Sequence, residues 1–594
     1  MWGKGIGRAL ALVVSVGALG VAAPPAFALS DPLNDLLALG QGQGETPAPT
    51  PIQHNAEPPF VPTPLVPCGP GSRPQPGVDG RVPGGSAAGE GLHCNIKLIG
   101  HQGTEGGFKV LRYTDIQQHS CAYYDTTLMF PLNALNPGAG SVGVAVLDMT
   151  DPAHPVQTDT LTALPMLSPH ESVNLNPQRG LIAAVNGNLT TEPGLVAIYD
   201  AHADCRHPVL QSLQPVARFG HESGFSTDGR TFYATSTALK SITAIDVTNP
   251  QTPMAVWQGQ VLAHGMTLSD DGNRAYIADP DGNMLILDTS QIQARKPNPQ
   301  TREISRLTWK AASIPQNAIP FTEKGKPYVL EFDEYNQGTT TFGGDKDQVG
   351  AGHIIDISDE TKPRVIANLR LAINQPAEHA AATAAGDPGT NNPAQGYAAH
   401  YCNIPTTVDP KIVACSFIAS GLRVFDISSL THPKEIAYYV APPAPRSENG
   451  FFASDFAMSK PAFVPERREI WWTDGTSGFY VLRVDPSVWD AAVNAAAPGA
   501  CKAGTRSRRL SVRRGVTTAV HVRLTRRGHN VRRVLIRLRG PGFSKRARTN
   551  SAGLASFRVR ARRTGRATVS ATLCGGALRV SARRVRRVGA RFTG

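Results

Sequence analysis

Five histidines recur along the chain, each followed at a steady distance by an aspartate, and together they could bind a metal ion. They lie 24 to 30 residues before their aspartates. Glutamates directly follow two of them, and a later acidic run contains Glu331, Asp333 and Glu334. Imidazole and carboxylate groups suit a first-row transition metal such as Zn, Cu or Fe, and could equally hold a polar ligand. The candidate ligands are His119, His170, Glu171, His221, Glu222, His264, Glu331 and His400.

Other catalytic signatures are weak. Cys121 and Cys402 each lie two residues after a candidate histidine. A thiol ligand at these positions would compete with disulfide formation. The sequence holds no Gly-x-Ser-x-Gly frame, no His-Glu-x-x-His helix and no phosphate-binding Gly-rich loop between strand and helix. The sequence therefore assigns no catalytic residue.

A recurrent strand segment organises most of the chain. Seven short runs of β-branched or aromatic residues end in Asp, as in Gly421-Leu-Arg-Val-Phe-Asp426, usually with Pro soon after. Asp can accept hydrogen bonds from the backbone of the following turn, and Pro favours that turn. Successive aspartates lie 42 to 70 residues apart, a spacing typical of propeller blades. They are Asp148, Asp200, Asp246, Asp288, Asp356, Asp426 and Asp485.

Over residues 95–490 this pattern resembles the LVIVD-repeat β-propellers, of the exported bacterial type. The resemblance implies an all-β fold with seven blades, within a range of six to eight, and no shared reaction. In each repeat it implies an inner strand opened by His, an alternating strand, an Asp-ended strand and an outer strand. Two copies depart from this pattern, because their expected inner strands, Tyr328–Glu334 and Phe451–Phe456, have no leading His.

Propeller geometry would bring the histidines together. Equivalent ends of inner strands converge on the central channel, so His119, His170, His221, His264 and His400 are expected around one mouth of it. A structural role is the alternative, since an imidazole repeated in every blade can donate to the neighbouring blade's backbone and hold the inner strands in register. A metal site would require three or four ligands within about 2.0–2.3 Å of one ion.

Composition divides the chain into four parts. Residues 1–28 read as a secretory signal peptide with the cleavage motif Ala26-Phe-Ala28, and no later segment is apolar enough to span a membrane. Residues 29–91 form a Pro/Gly-rich linker, 92–498 the propeller, and 501–594 an Arg-rich Ig-like β-sandwich with a basic tail. We expect Asn95–Gly100 to close the ring as the outer strand of the last blade. Insertions are expected at 291–326 and 372–395.

The C-terminal part is strongly basic. It contains 27 of the 59 Lys and Arg residues and no Asp or Glu, whereas the rest of the chain has 32 basic and 46 acidic residues. Anionic cell-envelope polymers or lipid surfaces are the expected partners of these basic residues. The alternative is that the arginines only keep a small β-sandwich solvated and have no binding role. Export and the lack of Tyr and Trp argue against nucleic acid. The polyanion-binding candidates are Arg526, Arg527, Arg532, Arg533, Arg562, Arg563, Arg583, Arg584, Arg586 and Arg587.

Eight cysteines in an exported chain are typical of disulfides. Cys402 and Cys415 flank a predicted turn and should face each other across adjacent strands. The remaining pairs in one assignment are Cys501 with Cys574, Cys68 with Cys94, and Cys121 with Cys205, and the sequence leaves other connectivities open.

Two functions are consistent with these features. The first is a non-enzymatic binding or scaffold protein, secreted or at the cell surface, that presents propeller loops to a protein or carbohydrate ligand while the basic module attaches to an anionic envelope. The alternative is a metal-dependent propeller enzyme, an oxidoreductase or hydrolase, that uses the channel histidines with Glu171 and Glu222. The sequence does not identify the ligand or the oligomeric state.

Overall fold

The structure of the chain is a computed structural model. It describes residues 45–578 except 79–90, 127–141, 187–193, 219, 238–239, 336–348, 388, 391–395, 443–455, 496–501, 506–514, 527–528, 531–533, 541, 561, 563–567 and 572–575. The predicted signal peptide therefore lies outside the described residues. No helix in the described part of the chain has the length and apolar character needed to cross a membrane.

The N-terminal segment supplies three strands before the first blade begins. They are β1 (Ile52–His54), β2 (Leu92–Cys94) and β3 (Ile96–Gln102). The strand β3 pairs antiparallel with Gly478–Val484 of the last blade. The prediction that Asn95–Gly100 closes the ring is thus confirmed, because N-terminal chain supplies the outer strand of the last blade.

Seven antiparallel blades of four strands each form a β-propeller, which confirms the predicted fold and blade number. The strands β1 and β2 add a fifth strand to the sheets of blades four and six. From the axis outward, blade one contains β4 (Val110–Thr114), β5 (Ser120–Asp125), β6 (Val144–Asp148) and β7 (Val156–Leu161), and blade two contains β8 (Asn174–Asn176), β9 (Leu181–Val185), β10 (Gly194–Asp200) and β11 (Val209–Ala217). Blade three contains β12 (Ser223–Phe225), β13 (Thr231–Ser236), β14 (Ser241–Asp246) and β15 (Met254–Gly259), and blade four contains β16 (Met266–Leu268), β17 (Arg274–Asp279), β18 (Asn283–Asp288) and β19 (Arg302–Thr308).

The remaining blades follow the same order. Blade five contains β20 (Ile314–Glu323), β21 (Lys326–Glu334), β22 (Gly352–Asp356) and β23 (Arg364–Leu369), and blade six contains β24 (Ala399–Asn403), β25 (Ile412–Phe417), β26 (Gly421–Asp426) and β27 (Lys434–Val440). Blade seven contains β28 (Ala462–Val464), β29 (Glu469–Asp474), β30 (Gly478–Val484) and β3. The helices are α1 (Leu164–Leu167), α2 (Ser290–Gln293), α3 (Pro376–Ala384) and α4 (Pro486–Ala495), with 3-10 turns at Ala372–Asn374 and Pro465–Arg467.

The repeated aspartate ends the third strand in blades one to six, as predicted, and Asp485 directly follows that strand in blade seven. In all seven repeats its carboxylate accepts a hydrogen bond from the backbone N–H two residues later, at 2.7 to 3.0 Å. In blades one to six these contacts fix the turn to the outer strand locally. The turn geometry of each blade is therefore determined mainly by residues that lie close together in the sequence.

Adjacent blades are held together by side chains from both faces of their strands. Trp471 and Trp472 are both fully buried, and neighbouring residues on a strand point to opposite faces. Trp471 packs with Val110 of blade one, whereas Trp472 packs with Leu422 of blade six. Truncating either indole to Ala would cost about 3–5 kcal/mol. This packing joins blade seven to both of its neighbours.

Three sequence predictions about blade boundaries were wrong. The segment 291–326 is not an insertion, because it supplies the outer strand β19 of blade four and the inner strand β20 of blade five. Tyr328–Glu334 therefore belongs to the second strand of blade five. The inner strand of blade seven is Ala462–Val464, and residues 451–455 lie outside the described part. Segment 372–395 does carry an insertion, with helix α3 in its described part.

The described part of the predicted linker, residues 45–78, is not free and is called the N-terminal strap below. Its strand β1 pairs parallel with β19 of blade four. Further along, the backbone N–H of Thr63 donates to the carbonyl of Arg370, and the N–H of Arg370 donates to the hydroxyl of Thr63. The N–H of Val66 donates to the carbonyl of Glu435 in blade six. The strap has almost no apolar core of its own. Its backbone groups are instead hydrogen-bonded to the outer strands of the propeller, so this part of the chain is not the free linker that its composition predicted.

Three of the four predicted disulfides are present: Cys68–Cys94, Cys121–Cys205 and Cys402–Cys415. Cys402 and Cys415 face each other on adjacent strands, as expected. The fourth predicted pair, Cys501 and Cys574, lies outside the described residues.

The C-terminal part contains two antiparallel sheets. One contains β31 (Lys502–Thr505), β32 (Thr517–Arg526), β33 (His529–Asn530) and β36 (Leu554–Arg560), and the other contains β34 (Leu535–Gly540), β35 (Phe543–Arg548), β37 (Thr568–Ala571) and β38 (Gly576–Leu578). Alternate residues of β32 and β36 are buried and the intervening ones are exposed, as period-two patterning predicts. The Ig-like assignment of this part stays a prediction.

Candidate functional site

Four of the five predicted histidines meet in a ring of aromatic side chains at the axis. The rings of His170, His221 and His264 follow one another, with centroids 4.6 and 4.8 Å apart. Phe108 of blade one continues the ring, because its centroid lies 4.4 Å from His170 and 5.5 Å from His400. His170 has a φ of 51°, a backbone conformation that is costly for a non-glycine residue and clusters at functional sites. The imidazoles of four blades thus face one shared space.

Blade five has no histidine at this level and supplies a carboxylate instead. Glu334 ends its second strand and reaches between the imidazoles of blades four and six. Its Oε1 atom lies 3.4 Å from Nε2 of His264, and its Oε2 atom lies 2.9 Å from Nε2 of His400. Glu334 therefore completes the ring where the histidine repeat is broken.

Glu171 occupies the centre of this ring. Its Oε2 atom lies 3.3 Å from Nε2 of His221 and 3.4 Å from Nε2 of His264, and its Oε1 atom lies 3.1 Å from Nε2 of His400. The carboxylate is buried, with a side-chain exposure of 1%. One glutamate thus contacts imidazoles from three blades. We call the set the axial cluster: His170, Glu171, His221, His264, Glu334 and His400.

Two histidines of the axial cluster also bond to the next blade's backbone. Nδ1 of His264 lies 2.9 Å from the carbonyl oxygen of Pro315, and Nδ1 of His400 lies 2.8 Å from that of Met458. A carbonyl only accepts, so each Nδ1 carries the hydrogen and each Nε2 faces the axis. This is the register-holding contact predicted as the structural alternative. It also orients Nε2 as carbonyl contacts orient metal-binding histidines, so the two roles do not exclude each other.

The spacing of the donor atoms is compatible with a metal site as well as with hydrogen bonds. Ligands bound tetrahedrally at about 2.0–2.1 Å lie roughly 3.3 Å from one another. The separations between Glu171 and the imidazoles of His221 and His264 are 3.3 and 3.4 Å. The Oε2 atom of Glu171 and the Nε2 atoms of His221 and His400 are buried without an aligned hydrogen bond. The cluster could therefore hold one transition-metal ion.

Charge coupling within the cluster is strong. Burial alone would raise the pKa of Glu171, but the surrounding histidines hold it well below its usual value. Burial alone would lower the pKa of His264 and His400, but Glu334 and Glu171 raise it to about 9 in both. Burial lowers the pKa of His170 to about 3, so this imidazole is neutral. Without metal, protons on His264 and His400 balance the two carboxylates.

A second set of polar residues lies beside the axial cluster, and we call it the lysine layer: Lys109, Glu222, Asn317, Tyr401 and Lys460. Nζ of Lys109 lies 2.8 Å from Oε1 of Glu222, which also accepts from Asn317 at 2.6 Å. Glu222 and Tyr401 directly follow histidines of the axial cluster in the sequence. Glu222, a predicted ligand, thus pairs with a lysine instead of joining the histidines.

His119 is not part of the ring, which corrects the prediction. It precedes the second strand of blade one, where its Nδ1 lies 2.8 Å from Oδ2 of Asp115 and 3.7 Å from Oδ1 of Asp204. The inner strand of this blade is Val110–Thr114, and Phe108 and Lys109 occupy the axial positions. The regular distance from His119 to its aspartate was therefore coincidental.

Glu331 also lies apart from the axial cluster, inside blade five. Its Oε2 atom is 2.9 Å from Nδ1 of His353 on the neighbouring strand. Burial and the charge of Asp333 raise the pKa of Glu331 well above its usual value, and burial lowers that of His353 to about 3. This is a buried polar pair in which both partners are neutral.

Sequence reasoning missed most of the lysine layer. Lys109, Asn317 and Lys460 each stand at or just before an inner strand, but their residue types share no repeat. Cys121 and Cys402 form disulfides, as predicted, so neither thiol is free to act as a ligand.

Few of the predicted polyanion-binding arginines lie in the described part of the C-terminal sheets. Arg562 is exposed and Arg526 ends β32, whereas the other eight lie outside the described residues: Arg527, Arg532, Arg533, Arg563, Arg583, Arg584, Arg586 and Arg587. The sheet exposes further arginines, and Arg537 lies directly opposite Arg546 across two strands.

Comparison with known proteins finds a repeat-family match within blade four. Residues 266–292, the inner strand, second strand and Asp-ended strand of blade four, match the LVIVD repeat. A crystal structure of a functionally unknown protein from Desulfotomaculum acetoxidans DSM 771 is similar at 12% identity and a TM-score of 0.37, covering 56% of this chain and 84% of that one. A chain in the crystal structure of the Mitotic Checkpoint Complex is similar at 11% identity and a TM-score of 0.40, covering 68% and 95%. No curated protein matches the chain.

Proposed function

We propose that this LVIVD-repeat propeller binds one divalent transition-metal ion on its axis. The ligands are Nε2 of His221, His264 and His400 with the carboxylates of Glu171 and Glu334. The observation that carries the proposal is that the oxygens of Glu171 lie 3.1 to 3.4 Å from the Nε2 atoms of three imidazoles from three blades.

The donor types favour an ion of the zinc, iron or copper class. Imidazole nitrogens with carboxylate oxygens suit these metals, whereas Mg²⁺ and Ca²⁺ prefer ligand sets made of oxygen alone. Metal binding would displace the protons from His264 and His400 and would compensate the charges of Glu171 and Glu334. In this buried space, the charge of the ion would thus take the place of the protons on His264 and His400.

The test is calorimetric titration of the chelator-stripped full chain with Zn²⁺. We expect one equivalent to bind, and His264→Ala and His400→Ala each to weaken binding by at least about tenfold to a hundredfold. His154→Ala is the matched control, because its side chain is 83% exposed and contacts only Asp151. Unchanged zinc affinity in the His400→Ala variant would refute the proposal.

A second proposed role is attachment to an anionic surface through the C-terminal part, in an exported protein. The alignment of Arg537 opposite Arg546 supports it, because like charges placed directly across strands destabilise a sheet unless an anion compensates them. The three disulfides support export. In this role the basic part holds the metal-binding propeller at an anionic envelope polymer or surface.

A further inference from the structure

We infer that Lys109 and Lys460 form a subsite for a small oxyanion or carboxylate beside the metal ligands. The inference deepens the proposed metal-binding function, because it names the class of molecule that would reach the ion. It rests on the placement of two lysines at the axis and on polar atoms, in the blades that face them, that are buried without an aligned hydrogen bond.

The two lysines are neighbours on the inner strands of blades one and seven. They form a parallel backbone bridge, in which paired side chains point to the same side. Two backbone hydrogen bonds lock this pairing: the N–H of Lys460 donates to Phe108 at 2.7 Å, and that of Val110 donates to Lys460 at 3.0 Å. Glu171 and Glu222 form the equivalent bridge between blades two and three. The lysines of blades one and seven therefore face the glutamates of blades two and three.

One lysine is paired and the other is not. Lys109 is fully buried and contacts Glu222 at 2.8 Å. Lys460 is partly exposed and pairs with no carboxylate among the described residues. Asp125, the other carboxyl group near Lys109, accepts from the N–H of Phe108 at 2.9 Å. Lys460 is thus the cation that an incoming anion can pair with.

Some polar atoms in the blades that face the lysines are buried without an aligned hydrogen bond. Oε2 of Glu222 is one of them, and the hydroxyl of Tyr401, equally buried, interacts with Glu222. Both polar atoms of the Gln316 side chain, the residue before Asn317, are buried without a hydrogen bond. Buried polar groups are nearly always paired, so these atoms indicate a bound ligand or water. The ammonium of Lys460 and the amide of Gln316 can each donate to an oxyanion.

Gly265 is a position at which blade four departs from the repeated sequence pattern. It follows His264, at the position where the preceding two repeats carry Glu171 and Glu222. A Cβ atom at this position would overlap with Oε2 of Glu222 and with the carbonyl of Gln316. Blade four thus leaves room for the carboxylate that holds Lys109. A purely structural repeat would not need this exception.

The test uses the full chain, with and without zinc, titrated calorimetrically with sulfate and separately with acetate. We expect at least one of the two anions to bind both forms, and more tightly with zinc present, since the ion adds positive charge. Sulfate alone would indicate an inorganic oxyanion, and acetate alone a carboxylate. Lys460→Met should weaken anion binding by at least about tenfold while leaving zinc stoichiometry unchanged.

Two variants keep this test specific. Lys324→Met removes an exposed lysine and should leave anion affinity unchanged, whereas Lys460→Arg keeps the charge and should retain anion binding. His400→Ala separates the two proposals, because it should lose zinc yet still bind the anion in the metal-free form. Unchanged anion affinity in Lys460→Met, or binding of neither anion to the wild type, would overturn the subsite whatever the outcome for zinc.

Discussion

The Nε2 atom of His400 lies 3.1 Å from Oε1 of Glu171, although the two residues belong to blades six and two. A glutamate from one blade therefore reaches across the axis to an imidazole on the other side. Register-holding contacts alone do not require this crossing, because they join neighbouring blades. The crossing brings a carboxylate and imidazoles from separate blades to one point on the axis, where they could share a ligand.

Metal affinity should depend strongly on pH. Both His264 and His400 have a pKa of about 9 without metal, and only a neutral imidazole can bind an ion. At pH 7 both are protonated, so each zinc ion bound should release about two protons, and affinity should rise from pH 7 to 9 and then level off. Titrations in buffers with different ionisation enthalpies measure this release. A pH-independent affinity would contradict it.

Gly265→Ala should disrupt the lysine layer. The new methyl group would overlap with Oε2 of Glu222 and displace the carboxylate whose Oε1 pairs with Lys109. Breaking a buried ion pair costs about 3–5 kcal/mol, and we expect a loss of that order in the free energy of unfolding. Gly352→Ala is the control, because its nearest neighbour is a side-chain atom of Leu369 at 3.2 Å. Equal stability of the two variants in chemical denaturation would count against this packing.

The Cys68–Cys94 disulfide should stabilise the closed ring. It joins the N-terminal strap to the last residue of β2, just before β3, across 26 residues. Replacing both cysteines with Ser should lower the free energy of unfolding by about 3–4 kcal/mol. Limited proteolysis should then cut the strap before the blades. Wild-type stability together with an uncut strap would show that the outer strands alone hold this segment.

Retention on an anionic polymer should depend on the exposed arginines of the C-terminal sheets. The double variant Arg537→Gln/Arg546→Gln should elute from heparin at lower salt than the wild type, because salt screens this attraction. Arg302→Gln is the control, since this propeller residue is 71% exposed but lies near Asp288. If elution of the double variant is unchanged, or full-chain retention is insensitive to salt, the anchoring role fails.

The blades were predictable because their signals are local. Each aspartate bonds to its own turn two residues later, so a short motif carries the information. Blade five was misassigned because its inner strand contains Pro315 and Pro320 and no histidine. Proline is tolerated there because an inner strand is the edge of its sheet.

The site could be predicted only in part. Repetition identified His170, His221, His264 and His400 correctly, because all stand at or before inner strands. The role of Glu334 depends on a side chain that reaches the axis from a second strand, and no spacing rule encodes that. Lys109 and Lys460 are brought together only by closure of the ring, which is a property of the whole fold.

The central claim is that donors from separate blades converge on one ion at the axis. Anomalous X-ray scattering at the zinc edge, from crystals of the zinc-loaded chain, measures this directly. We predict one peak about 2.0–2.2 Å from Nε2 of His264 and of His400 and from a carboxylate oxygen of Glu171. No peak inside the ring, or a peak confined to other residues, would contradict the account.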